Sequence, residues 1–257
     1  MVIAIIGLLA AIVLISLSGA KEKADEARGL NFSAQLKHGL GTALIGEWTF
    51  DNDPDDANIL DSSGKGNNGY VVTGFLTHEN GIVRKAARSS NINPQIEIPN
   101  TGKLDGTSGA FTIEFWIKTD PPLNGFFVFS SDNIHMIVQS SAVSSDIVFN
   151  CNTENLNFYD IVREFTFKVN RWYHIAATYD GKQTIQLYVN GKMLEPQSFG
   201  SSIDKIMYSG GNPYYIDMNE NGKYMDEIRI YDSALKLSEI QKHYAQGLYK
   251  TGLAELR

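Results

Sequence analysis

The segment 171–194 constrains the fold of this chain more than any other stretch. It holds two runs with the alternation of β-strands, WYHIAATY and TIQLYV, separated by Asp180-Gly181 and followed by Asn190-Gly191. Asp-Gly and Asn-Gly beside such runs are strong hairpin signals, because type I′ turns need positive φ at their central residues. The segment therefore predicts a three-stranded antiparallel meander.

Further short strands lie on both sides of this meander. GEWTF (46–50) and DEIRIY (226–231) have the composition of strands, and residues 111–117 alternate as half-buried strands do. Near the end of the chain, Ser238 and Gln241 form a capping box, which predicts a short final helix. Many short strands with regular turns predict a mainly β fold, an antiparallel sandwich or jelly roll.

The beginning of the chain has a different composition. Residues 2–17 read VIAIIGLLAAIVLISL, and no charge precedes Lys21. As a helix, twenty uncharged residues span about 30 Å, the thickness of the hydrocarbon core of a bilayer. A charged, amphipathic stretch follows, which predicts a long helical stalk over residues 1–40 and a separate β domain over residues 41–257.

Three readings of the apolar segment are open. It fits a membrane anchor, and it fits a secretory signal peptide, because Ser18 and Ala20 are the small residues that precede a cleavage site. A signal peptide would also carry Lys or Arg before the apolar run, and none is present. The third reading rests on a resemblance to a known family, and a buried helix of a soluble protein is the bland alternative.

Two resemblances sharpen these predictions. VIAIIGLLAAIVLISLSGAKEKADEAR resembles the N-terminal helix of type IV pilins and pseudopilins, truncated at its start, which implies a membrane helix that packs against other pilin-like subunits. The order WTFD…DSSGKGNNG…FTIEFWIKT…WYHIAATYDGK…LYVNGK…MDEIRIYDSALKLSEI, over about residues 44–247, resembles the laminin-G-like, concanavalin A-like jelly roll. Together they imply an inner-membrane-anchored or pilus protein at the cell surface.

The net charge and the number of cysteines limit the classes of function and the covalent cross-links that this chain can have. The net charge is −7 and the pI is about 5.2, which argues against non-specific nucleic-acid binding. Cys151 is the single cysteine, so no internal disulfide can form. The β domain must therefore rely on its core or on a bound metal.

Calcium is the metal that the sequence predicts. The loop 51–69 holds five aspartates and several glycines, and calcium takes oxygen ligands from flexible loops of this kind. The laminin-G resemblance implies binding where this loop meets the late Asp-Glu strand, with Asp51, Asp61, Asn67 or Asn68, and Asp226 as ligands. The alternative is a solvated acidic loop.

A second loop offers another calcium hypothesis. Asp217, Asn219, Asn221 and Gly222 match the first half of an EF-hand loop, but Ile228 stands where that loop has its bidentate Glu. The alternative is a β-turn built on Asn and Gly.

Exposed aromatic side chains are candidates for sugar binding, because sugars stack on flat rings. Tyr208, Tyr214 and Tyr215 lie in or beside a Gly/Asn-rich loop that could present them. The alternative for each is a place in the sandwich core.

No catalytic pattern is present in the sequence. Related glucanases need two carboxylates on one strand, and the adjacent Asp226 and Glu227 are expected to face opposite sides. We therefore expect a non-enzymatic, surface-displayed pilin-like protein whose jelly roll mediates adhesion or carbohydrate binding. The alternatives are a secreted carbohydrate-binding module and a purely structural pilus subunit.

Overall fold

A computed structural model of the chain describes residues 43–90, 93–99, 109–121, 126–131, 134–140, 145–152, 158–195, 197–198, 212–219 and 222–250. The predicted N-terminal stalk lies outside these residues. Within them, no helix has both the length and the apolar character needed to cross a membrane.

Strands dominate the described residues, with one helix near the end of the chain. The elements are β1 (Leu44–Trp48), β2 (Asn58–Ile59), β3 (Gly69–Thr73), β4 (Leu76–Asn80), β5 (Lys85–Ser89), β6 (Gln95–Ile98), β7 (Phe111–Thr119), β8 (Phe126–Ser130), β9 (Ile134–Ser140), β10 (Ser145–Asn152), β11 (Phe158–Glu164), β12 (Tyr173–Tyr179), β13 (Thr184–Val189), β14 (Lys192–Met193), β15 (Gln197–Ser198), β16 (Tyr214–Met218), β17 (Lys223–Tyr231) and α1 (Leu237–Lys250).

The strands form two antiparallel sheets. Sheet A has nine strands in the order β14-β13-β12-β7-β17-β5-β4, with β1 beside β17 and β15 beside β13. Sheet B has eight strands in the order β11-β10-β9-β8-β16-β6-β3-β2. This arrangement confirms the prediction of a mainly β antiparallel sandwich.

One large apolar core fills the space between the sheets. Phe111 of sheet A stacks on Phe149 of sheet B, with ring centroids 5.9 Å apart, and also contacts Tyr179. The inward positions of both sheets are apolar or aromatic, most often Ile or Phe, as the alternation of strands requires. Cys151 belongs to this core, and burial raises the pKa of its thiol to about 12, so the thiol stays protonated.

The helix α1 covers part of the outer face of sheet A. Tyr244 stacks on Trp116 at a centroid distance of 5.6 Å, and His243 stacks on Tyr231 at 5.7 Å. The helix begins at Leu237, where the side chain of Glu239 accepts a hydrogen bond from the backbone N–H of Lys236 (2.7 Å). The prediction of a final helix is confirmed, although the reaching carboxylate is Glu239 rather than the predicted Ser238–Gln241 pair.

The coverage by α1 changes the prediction for β7. All residues from Phe111 to Ile117 are buried, on both faces of the strand, so the expectation of a half-buried strand is wrong. Of the outward side chains that the sequence placed in solvent, Glu114 and Trp116 lie under α1, and Thr112 hydrogen-bonds the segment just before the helix.

The meander is confirmed as β12, β13 and β14. Asn190 and Gly191 both have positive φ (51° and 70°), as a type I′ turn requires. The turn at Asp180 is built differently, because the Asp180 carboxylate accepts the backbone N–H groups of Lys182, Gln183 and Thr184.

Candidate functional site

Asp61 organises the acidic loop through backbone hydrogen bonds. Its Oδ1 accepts the N–H groups of Glu47 (3.1 Å) and Ser63 (2.8 Å), and its Oδ2 accepts the N–H of Asn67 (2.8 Å). The side chain of Asn68 in turn accepts the N–H of Asp61 (2.9 Å). Asp61 and Asn68, predicted as calcium ligands, therefore lie together, but both oxygens of Asp61 already have donors.

A histidine contacts two other aspartates of the same loop. His78 on β4 places Nε2 at 3.0 Å from Asp53 and Nδ1 at 2.7 Å from Asp56. The hydrogen bond to Asp53 is the main cause of a raised pKa for His78; burial opposes it and Asp56 adds to it. The sequence analysis missed this histidine, because β4 and the loop are about twenty residues apart and no local pattern joins them.

Asp226 belongs to β17, and its side chain contacts the turn between β4 and β5. Its oxygens accept the N–H groups of Val83 (3.1 Å) and Glu227 (2.7 Å), and the side chain is fully buried. Burial raises the pKa of Asp226 well above its usual value, and the neighbouring charges of Glu227 and Asp51 raise it further. Asp51 accepts the N–H of Lys85 (3.0 Å), so these two predicted ligands face the same turn.

The expectation that Asp226 and Glu227 face opposite sides of the strand is wrong. The pairing of β17 with β7 shifts register between Asp226 and Arg229, and Glu227 has a φ of 49°. A β-bulge of this kind breaks the alternation of side chains. Glu227 consequently forms an ion pair with Arg229.

These contacts test how well the loop fits calcium. Calcium needs several oxygens with free lone pairs, and the two lone pairs of Asp61 Oδ1 are both used by N–H donors. In the part of the chain that the structure describes, no group of three or more His, Cys, Asp or Glu side chains is arranged to hold a metal ion. Asp61 Oδ1 therefore has no lone pair left for calcium, whereas each oxygen of Asp226 accepts one N–H and keeps one lone pair.

The second calcium loop is described only in part. Asp217 points outward from β16 and accepts a hydrogen bond from Gln95 (2.8 Å), while burial raises its pKa. Asn219 follows the end of the strand, and Asn221 lies outside the described residues. This hypothesis stays a prediction.

The three candidate tyrosines have different places. Tyr208 lies outside the described residues. Tyr214 is 2% exposed and packs on Phe129 in the core, at a ring distance of 5.5 Å. A buried ring cannot stack on a sugar, so Tyr214 is a core residue here. Tyr215, the next residue along the strand, lies half-buried on the outer face of sheet B.

Tyr215 belongs to a continuous row across sheet B. Residues directly opposite each other on neighbouring strands form this row, which we call the sheet B row: Asn58, Tyr70, Glu97, Tyr215, Ser130, His135, Asn150 and Asp160. Each of the eight residues is at least partly exposed. Tyr70 is 41% exposed, and its hydroxyl donates to Glu97 at 2.6 Å. The outer face of sheet B thus presents polar groups and two tyrosine rings, with Glu97 on the strand between the two tyrosines.

The outer face of sheet A carries a buried ionic network beneath α1. Glu114 is fully buried, with His243 Nδ1 at 2.7 Å from its carboxylate and His174 Nε2 at 3.4 Å. Although burial opposes ionisation, the two histidines hold the pKa of Glu114 well below its usual value. Arg229 joins the network through Glu114 (3.7 Å) and also pairs with Glu47 (2.9 Å). These groups connect α1 to sheet A and are buried.

Comparisons with known proteins agree with this architecture. The family model of the concanavalin A-like lectin/glucanases superfamily matches residues 89–241. No curated protein sequence matches the chain.

Similar solved structures include three toxin binding domains. The binding domain of Paraclostridial Mosquitocidal Protein 1 has 21% identity and a TM-score of 0.60, over 80% of this chain and 52% of that chain. The botulinum neurotoxin serotype D binding domain has 13% identity and a TM-score of 0.59, over the same shares. The binding domain of botulinum neurotoxin DC in complex with rat synaptotagmin II has 15% identity and a TM-score of 0.60, over 81% and 52%. This chain spans about half the length of each, and the likeness shows the fold alone.

Proposed function

Because the chain belongs to the concanavalin A-like lectin/glucanases superfamily, we propose that it is a non-enzymatic binding module that takes a glycan on the outer face of sheet B. The observation that carries this proposal is the sheet B row. It offers hydrogen-bonding groups and two aromatic rings on a surface that no helix covers among the described residues.

The two rings of this row suit a sugar for a physical reason. A pyranose presents apolar C–H groups on its faces and hydroxyls on its edge, so it needs a flat ring beside polar groups. Tyr70 is fixed by its hydrogen bond to Glu97, which is also the cross-strand neighbour of Tyr215. Little side-chain entropy is then lost on binding, because the groups are already ordered.

The toxin domains give this proposal indirect support. Each is named as a binding domain, and one is described in complex with the protein synaptotagmin II. A protein ligand is therefore the other outcome that a binding experiment must allow.

The proposal extends to display and to calcium. The apolar segment 2–17 and its resemblance to pilins support display at the cell surface by a membrane or pilus helix, with other pilin-like subunits as neighbours. Asp51 and Asp226 support a calcium ion near the turn between β4 and β5, because a cation would stabilise the negative charge that burial disfavours there.

The experiment is a glycan-array screen of the full-length chain, followed by titration of each hit against two variants. Tyr215→Ser removes a ring of the sheet B row and is expected to weaken binding about tenfold, a loss of about 1.4 kcal/mol. Tyr249→Ser is the matched control, because Tyr249 is 59% exposed on α1. Equal affinities for Tyr215→Ser and wild type would contradict the proposed face.

A further inference from the structure

We propose that one end of the outer face of sheet B docks a basic amphipathic helix of a protein partner. This end consists of β9, β10 and β11, the three strands at one edge of the sheet. Nine of their outward residues, which we call the aliphatic patch, form three rows that cross the strands. The rows are His135, Asn150 and Asp160; Ile137, Val148 and Val162; and Gln139, Asp146 and Glu164.

The central row of the aliphatic patch is apolar, although the rows on both sides of it are polar. Ile137 and Val148 are partly exposed, and Val162 is 46% exposed. The inward neighbours on the same strands, such as Phe149 and Ile161, belong to the core between the sheets. Because neighbouring strands lie about 4.8 Å apart, the central row is a continuous apolar stripe about 10 Å long. An exposed apolar stripe with polar borders is typical of an interaction surface.

The two rows beside this stripe are acidic. Asp160 lies on one side of it and Asp146 and Glu164 lie on the other, and none of the nine residues is Lys or Arg. Arg163 of β11 lies on the opposite side of that strand, where it donates to the backbone carbonyl of Glu195 (2.9 Å). No hydrogen bond or ion pair within the described part of the chain engages the three carboxylates. They are therefore available to the cations of a partner.

The dimensions of the aliphatic patch suit an α-helix that lies across the strands. Apolar residues at i, i+4 and i+7 of a helix cover about 10 Å, because each residue rises about 1.5 Å, and this matches the length of the stripe. The acidic rows lie about 7 Å to either side, since two residues along a strand rise about 6.8 Å. Lys and Arg have long apolar stems that can pack beside the stripe while their charged ends reach the carboxylates.

The shape and the charge of the patch disfavour other ligands. A sugar stacks on a flat ring, whereas the stripe consists of branched aliphatic side chains. An anionic membrane surface would be repelled by the three carboxylates. A second copy of the same patch would bring like charges together, which is unfavourable at an interface. A helix with Lys or Arg on both sides of an apolar stripe complements the patch in both respects.

The experiment is calorimetric titration of the full-length chain with two designed peptides of identical composition, each about 18 residues or five helical turns long. In the first peptide, leucines at i, i+4, i+7 and i+11 lie between lysines, so that a helix has one apolar stripe. In the second peptide, the same residues are scrambled. The first peptide is expected to bind at least tenfold more tightly, because only its leucines can all face the stripe.

Val162→Thr tests the apolar stripe, because it keeps the branched shape of the side chain and replaces a methyl group by a hydroxyl. It is expected to weaken binding of the first peptide about fourfold, the effect of one buried methyl group. Val72→Thr is the matched control, since Val72 is 38% exposed on β3 of the same sheet and lies outside the patch.

Glu164→Gln tests the acidic rows in the same way. It is expected to weaken binding about twofold to fivefold, as the loss of an exposed ion pair does. Glu79→Gln is its control, because Glu79 is also exposed but lies on β4 of sheet A.

Three results would overturn the inference. The first is equal affinity for the ordered and the scrambled peptide, and the second is equal binding of the ordered peptide by Val162→Thr and Val72→Thr. The third is a wild-type dimer in sedimentation that Val162→Thr converts to monomers, because a second copy would then occupy the patch. Tyr215→Ser should leave peptide binding unchanged, which separates this site from the glycan site on the tyrosines of the sheet B row.

Discussion

Replacing His78 by Gln should loosen the acidic loop in a pH-dependent way. Both ring nitrogens of His78 lie within 3.0 Å of a carboxylate oxygen, one from Asp53 and one from Asp56. A neutral imidazole has only one N–H donor, so both contacts are favourable only when the ring carries two protons. The geometry and the raised pKa of His78 point the same way.

The magnitude follows from how exposed each contact is. The side chain of Asp53 is 1% exposed, and a buried hydrogen bond to a charged group contributes about 1.5–3 kcal/mol. The side chain of Asp56 is 66% exposed, so its contact adds about 0–1 kcal/mol. We expect His78→Gln to lower the free energy of unfolding by about 2 kcal/mol, which is about 4–8 °C in Tm for a domain of this size.

The linkage between protonation and folding determines how the contribution of His78 to stability changes with pH. Because the folded-state pKa of His78 is raised, its contribution is fully present below the unfolded value of about 6.5 and is lost as pH rises through the folded pKa. The Tm difference between wild type and His78→Gln should therefore be largest near pH 6 and shrink towards pH 9. The assay is thermal unfolding by circular dichroism across that range, with His135→Gln on sheet B as control. A difference that is constant or grows with pH would refute the imidazolium assignment.

Two further predictions concern calcium and the helix. Millimolar calcium should raise the Tm of wild type, because a hundredfold excess over Kd adds about 2.7 kcal/mol to the free energy of unfolding. Asp226→Asn should abolish this rise. A Tm of wild type that does not change when chelator is added would remove calcium from the proposal. Gly247→Ala should destabilise the domain by about 1–3 kcal/mol, because the added Cβ would overlap the ring of Trp116. The control is Lys242→Ala on the exposed side of α1, which should change the free energy of unfolding little. Equal Tm values for the two variants would show that α1 does not pack on Trp116.

The sequence predicted the fold well because its signals are local. Alternation and the Asn190-Gly191 turn act over a few residues, and they identify strands and hairpins directly. Which faces of the strands are buried was harder to predict. The outward side of β7 is buried only because α1 returns to cover it, and such packing joins residues more than a hundred positions apart.

The candidate site was harder to predict because it depends on the face of each strand. In YYIDM the apolar Ile216 and Met218 share a side with Tyr214, so alternation could already have placed Tyr214 inside and Tyr215 outside. No comparable signal exists for His78, whose partners come from a distant loop. A single extra residue at the bulge of β17 was enough to defeat the alternation at Glu227.

The outward side chains of β7 show how far α1 covers the outer face of sheet A. Glu114 is fully buried and pairs with His243 of α1, and Trp116, two residues on, is 1% exposed beneath Tyr244. Lys118, two residues further, is partly exposed, and the contacts of α1 with β7 among the described residues are with Glu114 and with Trp116 and its cluster. The same strand thus passes from a buried ionic network to an open cation within about 14 Å. Sheet B has no such cover among the described residues, and each residue of its row is at least partly exposed.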